Sequence, residues 1–173
     1  LVTVLGAHDD LALIIHNASA FEPQAAEPAA QLVQFEQFYR VHMAAPFQLN
    51  RALAPKLAGN PNASIIHITD IYIHAPAPQF AAYVATKAGA HSLAMSFARE
   101  LAPEVRVNTI EPGPILFLDE HGDAWRQQVL ARTPLAREGG LEPIWQAVTL
   151  LMANDYMTGA SIRVDGGRAL AVI

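Results

Sequence analysis

The chain has 173 residues, 52% hydrophobic and 16% charged, which is enough apolar surface for one packed domain. A net charge of −5 with no cluster of Lys or Arg excludes a nucleic-acid footprint and a polybasic membrane patch, so a small-molecule partner is expected. There is no cysteine, hence no disulfide, thiol catalysis or Cys-ligated zinc; with no apolar run near the ~18 residues of a membrane span and no basic flank at Leu1, a cytoplasmic protein is expected.

Leu1 to Gly6 reads as the end of a helix stopped by Gly6, with His8-Asp9-Asp10 as a polar turn. Leu11 to Ile15 is an unbroken apolar run, the pattern of a strand covered on both faces, and His16 to Phe21 leaves its carboxyl end. Glu22 to Pro28 is a loop. From Ala29 to about Leu57 apolar residues recur at helical spacing, and Pro46 is expected to kink that helix. Gly59 to Asn62 turns the chain into a strand from Ser64 to Thr69. A linker holding Pro76 and Pro78 leads to a helix from Phe80 to Leu101, and Val105 to Ile110 is the next strand, broken sharply by Glu111-Pro112-Gly113-Pro114. Residues 115–140 are mixed, with a short helix around Asp123 to Arg132, as in a loop that covers a substrate. Leu141 to Ala153 is a helix, Ser161 to Val164 the last strand, and Asp165-Gly166-Gly167 a tight turn. Strands alternating with helices imply a single α/β domain with a doubly wound, Rossmann-like parallel sheet.

Three residues suggest chemistry. Tyr83 and Lys87 are four apart, so one face of a helix carries both. Asp70 ends a strand, and ligands of open parallel sheets gather beyond the carboxyl ends of strands. A free phenol titrates near ~10; an ammonium held close favours the phenolate and should bring Tyr83 into the range of a usable proton donor. Tyr-x-x-x-Lys alone describes many helices in which an aromatic packs beside a solvated lysine. No pair among His16, His42, His67, His74 and His91 has the spacing and acidic companion of a zinc motif, so no metal is expected.

Asn17-Ala18-Ser19, Asp70, Tyr83-Val-Ala-Thr-Lys87 and Asn108-Thr-Ile-Glu-Pro112-Gly113 follow one another in an order and spacing that resemble the short-chain dehydrogenase/reductase family. The resemblance runs from Leu11 to Arg168 and matches the latter two-thirds of a family member. The first βαβαβ half, with its Gly-rich pyrophosphate cradle and the residues that select NAD or NADP, has no counterpart in these residues. Asp70 stands where most members have Ser, and with the run Asn17 to Phe21 it resembles the pteridine reductases and bacterial dihydromonapterin reductases.

That resemblance implies NADPH-dependent reduction of a dihydropterin, first 7,8-dihydromonapterin, with dihydrofolate or dihydrobiopterin as weaker substrates. It implies a catalytic set of Asp70, Tyr83 and Lys87. It implies cofactor contacts from Asn17, Ala18, Tyr83, Lys87, Pro112, Gly113 and the backbone of Ile115. Ser19, Phe21, Asp70 and Tyr83 would hold the substrate, with Phe21 stacked on the pterin ring. Relatives commonly form tetramers through the helices corresponding to 29–57 and 80–101, and the small residues Ala81, Ala85, Ala88, Ala90 and Ala94 fit a second helix packing there. His42 replaces the family's usual Asn, which helps hold the lysine through a water, and no Thr follows Pro112-Gly113. A carbonyl or alcohol oxidoreductase of the same family, or a non-catalytic dinucleotide-sensing or scaffold protein, stays open as an alternative.

Overall fold

A computed structural model describes residues 11–119 and 121–171, so the helix end and turn expected between Leu1 and Asp10 lie outside the described residues. Within these residues, four parallel strands form one sheet in the order β1 (Leu13–His16), β2 (Ser64–Ile68), β3 (Arg106–Pro112) and β4 (Ser161–Val164). Ile65 and Ile66 show why β2 lies at the centre. Ile65 enters a core with Leu57, Ala94, Phe97 and Val107, while Ile66 points to the opposite face with Ile110, Val148 and Leu151. Each is fully buried, which contributes roughly 1.5–3 kcal/mol per side chain. Among the described strands β1 pairs with β2 alone; Ile14 packs against the first core and Leu13 against the second, so both faces are partly covered, while Ile15 is 39% exposed.

Helices α1 (Pro28–Tyr39), α2 (Ala45–Leu57) and α3 (Ala81–Glu100) precede β3, α4 (Asp123–Ala131) follows it, and α5 (Glu142–Ala153) leads into β4. α2 and α3 supply Leu57, Ala94 and Phe97 to one face of the sheet, and α5 supplies Ala147, Val148 and Leu151 to the other. The kink expected at Pro46 is replaced by a π-helical turn over Arg40–Ala44, closed by the Ala45 N–H on the Arg40 carbonyl. Pro46 has no N–H to give its α-helical acceptor, and a wider turn just before it absorbs that loss without breaking the helix.

The break expected at Glu111 comes two residues later. Glu111 and Pro112 pair with Arg163 and Val164, and the Gly113 N–H still donates to the Val164 carbonyl at 2.9 Å. Odd-numbered residues of β3 donate toward β4, as Thr109 also does, so the missing N–H of Pro112 faces the side where β2 has already ended. The tight turn at Asp165 is present. Gly166 and Gly167 have φ of +61° and +83°, which glycine adopts without penalty, and Asp165 Oδ1 accepts from the Gly167 N–H at 2.9 Å.

Candidate active site

Asp70 leaves the carboxyl end of β2 in extended conformation and caps the 3₁₀ turn Ile71–Ile73, its Oδ1 accepting from the Tyr72 N–H at 2.8 Å. Tyr83 sits in the first turn of α3, and its hydroxyl donates to Asp70 Oδ2 at 2.8 Å. Lys87 lies one turn on, buried, with its ammonium donating to the Ile68 carbonyl at 3.0 Å and resting 5.8 Å from the Tyr83 ring centroid. Strand end and helix face thus bring the three residues together.

Their electrostatics differ from the expectation. Burial first, and then the Asp70 carboxylate, push the Tyr83 phenol well above its ordinary value. Lys87 spends its hydrogen bond on Ile68, and burial lowers it to about 8, with Asp70 resisting. Burial also raises the Asp70 carboxyl, against the pull of Tyr72, Tyr83 and Lys87, and the buried carboxylate of Glu111 adds to the rise. Asp70 therefore keeps its proton to higher pH than an ordinary carboxyl, and Tyr83 is not brought toward neutral pH.

His42 fastens the loop after β1 to α3. Thr86 Oγ1 donates to the Tyr83 carbonyl at 2.8 Å, so it must accept from His42 Nδ1, also at 2.8 Å. That leaves Nε2 as acceptor for the Ala20 N–H at 3.4 Å and the Ser19 hydroxyl at 3.0 Å. Burial, then the Lys87 charge, lowers His42 to about 4, which keeps the imidazole neutral as this arrangement requires. Phe21, held on the same loop, stacks on Phe80 at 4.7 Å and meets the edge of the Tyr83 ring at 4.9 Å.

A cleft of about 640 Å³ opens above these groups. Phe21, Asp70, Tyr83, Pro112, Gly113 and Ile115 line it, which unites six of the expected site residues. Asn17, Ala18 and Ser19 are exposed at the end of β1, and Ala18 and Lys87 border a separate small hollow with His16, His42 and His67. Gly113 must be glycine. A Cβ there would lie 2.6 Å from Asp165 Cβ and 2.7 Å from its Cα. No group of three or more His, Cys, Asp or Glu side chains among the described residues is arranged to hold a metal.

A family model described as Enoyl-(Acyl carrier protein) reductase matches residues 2–169. The chain belongs to the short-chain dehydrogenase/reductase family. It is 39% identical over 165 residues to a dihydromonapterin reductase of Klebsiella pneumoniae, covering 94% of this chain and 68% of that protein. Identity is also 39% over 171 residues to the same-named protein of Escherichia coli O6:K15:H31, covering 96% of this chain and 70% of the other. Among solved structures, FolM alternative dihydrofolate reductase 1 from Brucella canis, complexed with NADP, superposes with a TM-score of 0.84 at 27% identity, covering 92% of this chain. This chain spans 64% of that structure's length, and 63% of an apo SCOR enzyme from Clostridium thermocellum that matches with a TM-score of 0.79 at 27% identity.

As a short-chain dehydrogenase/reductase, the chain carries further cleft residues that its sequence does not single out. Tyr72 joins Asp70 to Arg168, giving its N–H to the carboxylate and accepting from Arg168 Nη2 on its hydroxyl at 3.3 Å. Trp125 and Gln128 of α4 and Phe117 before it line the wall. The segment 115–140 does border the cleft, through Ile115 to Phe117 and α4. No helix of the described residues is long and apolar enough to cross a membrane.

Proposed function

We propose that the protein reduces a dihydropterin with NADPH, and that 7,8-dihydromonapterin is its preferred substrate. The observation that carries the reading is the hydrogen bond from Tyr83 to Asp70, at a cleft floored by Phe21. The dihydromonapterin reductases at 39% identity and the NADP-complexed FolM neighbour support it. A ketone substrate needs only a neutral donor at its oxygen, whereas pterin reduction must deliver a proton to a ring nitrogen.

The residues present fit the nicotinamide end of such a cofactor. Lys87 is a buried ammonium with three donors and one hydrogen bond, to the Ile68 carbonyl, which leaves two donors for ribose hydroxyls. Tyr83, Lys87, Asn17, Ala18, Pro112, Gly113 and the backbone of Ile115 would hold it. The bound cofactor supplies the hydride that enters carbon 6 of the pterin. Tyr83 gives its hydroxyl proton to nitrogen 5. Alone, that transfer would leave a phenolate 2.8 Å from the Asp70 carboxylate. With Asp70 protonated beforehand, its proton passes to Tyr83 as the phenol proton leaves, no phenolate forms, and solvent later recharges the carboxylate. The raised Asp70 carboxyl suits this order of events. Phe21 would stack on the pterin, and Ser19 would touch it.

The test is NADPH oxidation by wild type and Tyr83→Phe with 7,8-dihydromonapterin and with simple ketones. The variant should lose a factor of about 10²–10⁴ in kcat with KM little changed. Turnover of ketones without pterins would make the protein a carbonyl reductase, and failure to bind any dinucleotide would leave a non-catalytic role.

We also propose a cytoplasmic homotetramer. Leu32, Val33, Phe35 and Tyr39 of α1 and Phe47 of α2 are exposed, an apolar face suited to self-association. Ala90 and Ala94 do not belong to that face; both are buried, Ala94 fully, so a charge at Ala94 would attack the core and not an interface. Light scattering should give a tetramer that Val33→Glu weakens, and a monomeric wild type would refute the assembly.

A further inference from the structure

Arg168 is a buried cation in the wall of the cleft. Only 7% exposed, it follows the Gly166-Gly167 turn after β4 and lines the same cavity as Asp70 and Tyr83. Its guanidinium has five N–H donors. Two contacts engage it, both long: Nη1 to the Val129 carbonyl at 3.4 Å and Nη2 to the Tyr72 hydroxyl at 3.3 Å. Nε is buried with no hydrogen-bond partner. Among the described residues no carboxylate is in ion-pair contact with Arg168; the nearby Asp165 spends its oxygens on the N–H groups of Gly167 and Ala169. Burying an unpaired cation is costly, and a planar fork short of acceptors is a receptor for a carboxylate.

We propose that Arg168 is a receptor for an anionic side chain, so that beside dihydromonapterin the cleft also takes a dihydropterin whose substituent at carbon 6 ends in a carboxylate, as in the weaker substrate dihydrofolate. The inference rests on the dihydropterin reading of the site. Arg132, exposed on the same cleft, adds a second positive charge, and Trp125 and Phe117 offer aromatic surface to a ring between pterin and carboxylate. Among the described residues that line the cleft Asp70 is the one carboxylate, and it belongs to the reaction. Tyr72 couples the two ends, since its N–H holds Asp70 while its hydroxyl holds Arg168.

The experiment compares kcat/KM of the purified protein for dihydrofolate, for its uncharged diamide and for 7,8-dihydromonapterin, in wild type, Arg168→Gln and Arg168→Lys. Wild type should prefer the acid to its diamide by a factor of about 10–100, the strength of a charge-assisted pair. Arg168→Gln should erase that preference while changing dihydromonapterin and NADPH KM values less than about threefold, and Arg168→Lys should restore part of it. Equal wild-type turnover of acid and diamide overturns the proposal even where the Gln variant fails to fold. A loss confined to NADPH would give the arginine to a cofactor phosphate instead and also overturns it. Quenching of Trp125 fluorescence by p-aminobenzoylglutamate, weaker in Arg168→Gln, reads the site without turnover. Its presence in a protein that reduces no pterin would sink the reductase reading while leaving the anion site standing, and its absence from a protein that does reduce pterins would sink the anion site alone.

Discussion

Replacing Asp70 with Asn should make the protein more stable and far less active, and the size of the gain should depend on pH in a defined way. An asparagine can keep both existing contacts. Its carbonyl oxygen would accept from the Tyr72 N–H, and its amide would donate to the Tyr83 hydroxyl, which now gives its proton to Asp70. What disappears is a buried charge. Because folding raises the Asp70 carboxyl above its ordinary 3.8, there is a window in which the folded protein holds a proton that the unfolded chain has released. Stability then falls as pH rises through that window, by about 1.4 kcal/mol per pH unit, and levels off above the folded value. The variant lacks this slope. Urea unfolding of both proteins from pH 4 to 8 should show similar stabilities at the acid end and a gap that widens in favour of Asp70→Asn until it levels off. In the same preparations kcat for dihydropterin should drop by about 10²–10⁴. A variant less stable than wild type at pH 7, or one that keeps near-normal turnover, would make Asp70 a structural cap and refute the relay.

Acid should weaken the fold through its buried histidines. Burial lowers His42 to about 4 and His67 to about 3 from 6.5, so below pH 6.5 the unfolded chain takes up protons that the folded one refuses, and stability present above 6.5 is lost as pH falls. His67→Gln should flatten the acid limb by about 1.4 kcal/mol per pH unit; an unchanged slope would show that His67 does not contribute. Gly113→Ala drives a methyl against the backbone of Asp165 and should cost about 1–3 kcal/mol while loosening cofactor binding, so an unchanged unfolding midpoint and cofactor Kd would contradict the contact.

Much of the architecture is legible because local pattern and global fold agree. Ser161–Val164 is read from sequence with its observed bounds, and the helix holding Tyr83 and Lys87 is displaced by one residue at each end. Alternation of strand and helix puts Asp70 and Tyr83 at one strand end before any coordinate is known. Errors arise where tertiary context overrides a local rule. Proline reads as a strand breaker, yet Pro112 sits in β3 because its missing N–H faces a ladder that has ended. The phenol's electrostatics mislead for a related reason: spacing places Lys87 near Tyr83 but cannot show that the Ile68 carbonyl has claimed the ammonium. Arg168 is invisible as a cleft residue, since an arginine after two glycines has no periodicity, and only the fold carries it beneath Tyr72.

The π turn over Arg40–Ala44 makes the length of this segment a constraint that composition does not reveal. The buried residues Gln34, Phe38, His42, Pro46 and Asn50 recur every four positions, a spacing that a uniform helix of about 3.6 residues per turn cannot keep on one face. The wider turn absorbs the surplus. A chain one residue shorter here would wind without interruption and rotate α2 by about 100° relative to α1. Asn50, which links His16 at 2.7 Å to His67 at 3.3 Å between β1 and β2, would swing off both rings. Single-residue deletions between Tyr39 and Pro46 should therefore be far more damaging than substitutions at the same positions, even though four of the five residues in the turn reach solvent to some degree.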